Sequence, residues 1–238
     1  MKKTMLTTLC ATAALAASIA AAPTSAATVD IGVQNPSVFG DADGANKWYV
    51  GVSYTNGKET RANVGAGVFR LLGSFQGGET AKFLAFCLSP FEWLHLPLQY
   101  TVGNDLKDGV VSRLATLVDI AWSKIADGNT AAAFQLAAWE IVSETDDNKL
   151  SIADGLFRVT ALNSDAAGKY AQSWLDDVQS GNFKGNLDHM TIFSADNTQD
   201  LLTGDLPPAP VPLPGAAGML LLALMTLGGA AKARRRSL

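Results

Sequence analysis

A change of period in the middle of the chain constrains its fold most. From Lys47 to Thr55, Trp48, Val50, Val52 and Tyr54 alternate with Tyr49, Gly51 and Ser53, the two-residue period of a half-buried strand. Asn56-Gly57 then favours a tight hairpin turn, with Lys58–Val64 as the returning strand. Gly67–Leu72 and Lys82–Leu88 read as further strands, the second stopping just before Pro90. Beyond these the period lengthens. Val110, Leu114, Leu117, Val118, Ala121 and Ile125 fall at helical spacing, and Asp127-Gly128 reads as the stop. A second helix is predicted from the cap residues Asn129-Thr130 to about Glu144, and a third over Asp165–Ser180. Gly155–Thr160 and His189–Phe193 read as short strands. The expected class is α+β: an antiparallel β part, sandwich or barrel-like, followed by a small helical part.

Both ends of the chain read as handling signals. Met1–Ala27 opens with Lys2 and Lys3, continues through an apolar Ala-rich run, and ends in small residues, as a cleaved signal peptide does. Residues 205–214 form a Pro-rich linker holding five of the nine prolines, which favours a stiff extended spacer. Gly215–Ala231 is an uncharged apolar run of 17 residues, at the short limit for crossing a bilayer. Lys232, Arg234, Arg235 and Arg236 follow as a basic stop that would stay cytoplasmic. The expected organisation is a signal peptide (1–27), an exported domain (28–204), the linker, and a hydrophobic sorting or transmembrane segment (215–238). Six of the 18 basic residues lie in the two ends, leaving 12 against all 22 acidic residues in the middle, a net charge of −10 there. That balance speaks against nucleic acid as a partner and suits an exposed surface protein.

Cysteine usage narrows the chemistry. Cys10 falls within the signal segment, so the exported domain keeps Cys87 alone. A solitary thiol outside the cell can be buried and inert, can pair with another chain, or can bond to something other than sulfur. Sites for ordinary catalysis are poorly supplied. His95 and His189 are the only histidines, and His95 sits in the apolar context Trp93-Leu94-His95-Leu96. A Cys–His dyad is the third-ranked reading, and no enzymatic activity or cofactor is expected. Asp41-Ala42-Asp43-Gly44 is read as a polar turn rather than a calcium loop, since it lacks the remaining oxygen ligands.

Phe86-Cys87, followed 48 residues later by Phe134-Gln135-Leu136-Ala137-Ala138-Trp139, resembles the signature of the thioester domains of bacterial surface adhesins. There an aromatic or aliphatic residue precedes the cysteine, and the glutamine motif carries apolar residues before and after it. The resemblance covers Ala81–Glu144 in motif. It implies a bond between the Cys87 sulfur and the side-chain carbon of Gln135. Such a bond needs shelter from water, and Phe86, Phe134 and Trp139 are the candidate walls, Trp139 lying one helical turn beyond Gln135. An amine-bearing surface or matrix ligand could then be captured covalently. The alternative is a non-reactive structural surface or matrix protein with a buried free cysteine.

Val211-Pro212-Leu213-Pro214-Gly215, the apolar run and Arg234-Arg235-Arg236 resemble in order the VPLPA class of C-terminal sorting signals, relatives of PEP-CTERM signals. Gly215 stands where that class usually has Ala. The resemblance implies processing by an exosortase-like membrane protease after signal peptidase has acted at the other end. The chain would be tethered in the membrane by its C-terminal segment, then retained at the cell surface or released.

Overall fold

The computed structural model describes residues 26–34, 37–39, 47–54, 59–75, 80–144 and 149–205. The expectations for Met1–Ser25, the Asp41–Gly44 turn, Asn56-Gly57, the linker from Leu206, the sorting signal Val211–Gly215 and the basic stop Arg234–Arg236 lie outside the described residues. No helix among the described residues is long and apolar enough to cross a membrane.

The molecule is α+β. Its β part is a closed antiparallel barrel of six strands plus a separate three-stranded sheet. Around the barrel the order is β1 (Thr28–Val33), β4 (Phe69–Phe75), β5 (Thr80–Cys87), β9 (Leu201–Thr203), β8 (Thr191–Ser194) and β6 (Leu98–Val102), which returns to β1. The smaller sheet runs β3 (Glu59–Gly67), β2 (Lys47–Tyr54), β7 (Arg158–Leu162). Closure leaves the barrel without a free edge. Val29, Ile31, Leu71, Phe83, Tyr100 and Phe193 are buried at its core, with the Phe83 and Phe193 rings 5.7 Å apart.

Three helices lie between β6 and β8: α1 (Asp108–Ala121), α2 (Gly128–Ser143) and α3 (Asp165–Gln179). The helical part is therefore inserted into the β part rather than appended to it, because β8 and β9 return to complete the barrel. The apolar stripe read from Val110 to Ile125 ends earlier as an α-helix, at Ala121, and continues as a 3-10 turn over Trp122–Lys124. Asp127, read as part of a stop, instead caps the next helix. Its carboxylate accepts from Thr130 N at 2.8 Å, while Thr130 Oγ1 accepts from Asp127 N at 3.0 Å. This reciprocal arrangement satisfies two amides that a helix start leaves without partners.

Helix α2 is the centre of the structure. Every residue from Ala131 to Ile141 is buried, so no side of this stretch is left to solvent. It packs against α1, α3, β2, β3 and β5. Five alanines in α2 allow that close approach on all sides. Two buried carboxylates, Glu140 within α2 and Glu144 just after it, fasten the segment that follows. Glu140 Oε1 accepts from Ser151 N at 2.6 Å, and Glu144 Oε1 accepts from Leu156 N and, at 3.2 Å, from Phe157 N.

Candidate functional site

Strand β5 and helix α2 meet at Cys87 and Gln135. The ladder between β4 and β5 ends at the pair Phe69↔Ala85. On the other side β5 remains paired with β9 through Phe86↔Leu202 and Cys87↔Leu201. Cys87 would thus have no β4 residue for its own N–H and C=O. Gln135 fills that place. Its Oε1 accepts from Cys87 N at 3.0 Å, and its Nε2 donates to Cys87 O at 2.6 Å. A side-chain carboxamide here does what a neighbouring strand would do. Gln135 is 0 % exposed, and a buried amide demands partners of this kind.

Alternation along β5 sets the two neighbouring side chains apart. Phe83, Ala85 and Cys87 share one face, and Phe86 takes the other. Phe86 packs at 4.4 Å from Phe134 in a tilted contact, and Trp122 stands edge-on to both at 5.7 and 5.5 Å. This aromatic trio lies between barrel and helices. The residues expected to enclose the site therefore divide. Phe86 and Phe134 support the Cys87–Gln135 contact from behind, whereas Trp139 stands with Cys87 at the base of an open cleft of about 630 Å³.

Neither the barrel nor the helix makes that cleft alone. Arg61 and its neighbours on β3, Phe39 and Phe69, and Glu92 and Trp93 after β5 form the walls. Arg61 donates to Phe91 O and lies over the Trp93 ring at 5.1 Å, fixing the mouth. Sequence reasoning missed these walls. Arg61, Phe39 and Trp93 come from segments far apart in the chain, and no local spacing marks them as neighbours.

The thiol is buried, and its surroundings favour the neutral form. Burial pushes Cys87 up to about 12, with smaller upward contributions from the charges of Glu92 and Asp200. Trp139 and Ser89 act in the opposite sense, the Ser89 amide donating to Sγ at 3.2 Å. Neither histidine is among the described residues lining the cleft. The His95 ring bonds Asn197 O at 3.0 Å, and the His189 ring bonds Asp119 at 2.7 Å. No cluster of three or more metal-ligating side chains occurs among the described residues.

Chemically, the arrangement presents a carboxamide carbonyl to the residue that carries a thiol. The Cys87 amide donates to Gln135 Oε1, where negative charge would develop if the sulfur attacked the side-chain carbon. The same geometry equally satisfies three buried polar groups with no reaction at all. Comparison with protein-family models, curated proteins and solved structures finds no match for this chain.

Proposed function

We propose that this is an exported bacterial surface or matrix protein that attaches covalently to amines through a thioester between Cys87 and Gln135. One observation carries the reading: the Gln135 carboxamide is held from both ends by the backbone of Cys87, at 3.0 and 2.6 Å, next to a cleft that reaches the thiol. Attack of the sulfur on the Gln135 side-chain carbon expels ammonia and leaves a γ-glutamyl thioester. The thiol proton departs on the ammonia. Held geometry of this kind replaces much of the barrier, so no separate enzyme is required. A primary amine entering the cleft then displaces the sulfur, giving an isopeptide and a free Cys87. The event occurs once per molecule, so the protein is an adhesin rather than an enzyme.

Export follows from the signal peptide at 1–27, and tethering from the apolar segment at 215–238 with its basic tail. The VPLPG sequence at 211–215 is the proposed recognition element for an exosortase-like protease, which would deliver residues 28–204 to the cell surface or beyond it.

A second reading rests on a specific observation. A thiol at about 12 is almost wholly protonated at neutral pH and is a weak nucleophile. On that ground Gln135 is a structural clamp, and the chain is a non-reactive surface or matrix protein. Intact-mass measurement of the purified protein separates the two. The thioester makes it lighter by one ammonia and restores mass on methylamine treatment, and Cys87→Ala abolishes both changes. A mass equal to that of the plain sequence, with Cys87 open to slow alkylation, leaves the structural clamp.

A further inference from the structure

We infer that Trp139 is a catalytic residue of this site, its indole N–H donating to the Cys87 sulfur whenever that sulfur carries negative charge. The inference rests on the thioester reading and assigns the group that assists departure of the sulfur. Trp139 is 1 % exposed, and its Nε1 has no hydrogen-bond partner of ordinary geometry. A buried N–H left in this way costs roughly 1–3 kcal/mol, so its retention calls for a reason. The ring lines the same cleft as Cys87, and its side chain acts on the thiol in the sense that favours the thiolate. A neutral thiol is a poor acceptor, whereas a thiolate is a strong one. The indole is thus satisfied only when charge reaches the sulfur.

The donors at the site are then divided by task. The Cys87 amide serves Gln135 Oε1, and the Ser89 amide already reaches Sγ at 3.2 Å. Trp139 supplies the second donor on sulfur. In aminolysis the amine nitrogen bonds to the Gln135 side-chain carbon, the carbon–sulfur bond breaks, and its electron pair stays on Sγ. The proton lost by the amine ends on that sulfur. Stabilising the departing thiolate lowers the barrier to this step without contact with the amine. The same donor favours ionisation of the thiol before the bond first forms.

Trp139→Phe keeps the ring and removes the N–H. Methylamine uptake, followed by intact mass, is expected to slow by about 10- to 100-fold in this variant. The alkylation profile of the free thiol is expected to move to higher pH. An unchanged uptake rate and an unchanged profile in a folded variant overturn the proposal. The profile also keeps the two readings apart. Wild-type protein that has lost no ammonia sinks the thioester, while an upward shift of the profile in Trp139→Phe still supports the donor. If that variant does not fold, the indole N–H resonance of nitrogen-15-labelled protein with its thiol free is followed as pH rises towards the thiol's pKa, beside that of Cys87→Ala. A downfield move that is absent from Cys87→Ala supports the contact, and identical behaviour overturns it.

Discussion

Phe86 and Phe134 pack with ring centroids 4.4 Å apart and planes tilted by 38°, and each immediately precedes one member of the Cys87–Gln135 pair. This contact sets the register of β5 against α2. A slip of either element by one residue would part the rings and carry the carboxamide away from Cys87. Phe134→Ala should therefore cost about 3–5 kcal/mol, as large-to-small changes at fully buried aromatic sites do. Thermal or urea unfolding measures that cost. The ammonia loss should fall with it, whereas Phe134→Leu should preserve most of both. Normal condensation in a folded Phe134→Ala protein would contradict this role.

Gln135 and Cys87 should respond differently to truncation. Gln135→Ala leaves the N–H and C=O of Cys87 buried and unpartnered, at roughly 1–3 kcal/mol for each orphaned group. Cys87→Ala keeps both backbone bonds and removes only the thiol, so it should cost about 1–2 kcal/mol. Unfolding curves of the two variants, measured side by side, check the order. Equal losses would show that the carboxamide contributes little to the strand end.

The free Cys87 thiol should alkylate slowly at neutral pH and faster by about tenfold per pH unit below its pKa, because only the thiolate reacts. With the thiol pushed to about 12 by burial, the rate should still be climbing at pH 10. Iodoacetamide labelling of native protein gives the profile, and a plateau near pH 8 would rule out this environment.

Glu140 provides a pH test of stability. Burial raises its carboxyl from 4.5 to about 8, opposed by the Ser151 amide and assisted by the neighbouring charge of Glu144. The folded state therefore holds this proton where the unfolded chain has released it. The favourable contribution is complete below pH 4.5 and is lost as pH rises through 8. Glu140→Gln is neutral at every pH and can still accept from Ser151. It should stabilise the protein by about 1–3 kcal/mol at pH 8 and change little at pH 4. Melting curves at the two values decide, and a difference independent of pH would contradict the assignment.

Much of this arrangement was legible where the period was local. The strand at Lys47–Tyr54, the helical stripes and the third helix from Asp165 appear close to where the residues suggested, although burial on β2 is continuous from Val50 to Ser53 instead of alternating, because β2 is the middle strand of its sheet. Strand β1 is not among the strands expected from the sequence, yet Val29 and Ile31 are buried on it. Its short alternation was hidden by Asp30 and Gly32. Strand β9 carries only three residues, Leu201–Thr203, too few to show any period. Since β8 and β9 close the barrel, the missing strand also concealed how the helices were inserted. At the site, Gln135 and Trp139 share a helix face by simple spacing. Their meeting with Cys87 depends on the β4–β5 ladder stopping at Phe69↔Ala85, which only the folded register reveals.

The barrel seam adds a mechanical consequence. Strand β9 pairs with Phe86 and Cys87, and two residues after it Asp205 accepts from Leu84 N at 2.7 Å and from Trp122 Nε1 at 3.0 Å. Any pull on the chain beyond Asp205 therefore loads those two bonds and then a three-residue strand. Entering from that end, the load meets the Phe86↔Leu202 pair first and the Cys87↔Leu201 pair second. Tension on the tail is thus shared between the cysteine strand on one side of β9 and β8 on the other before it reaches the helices.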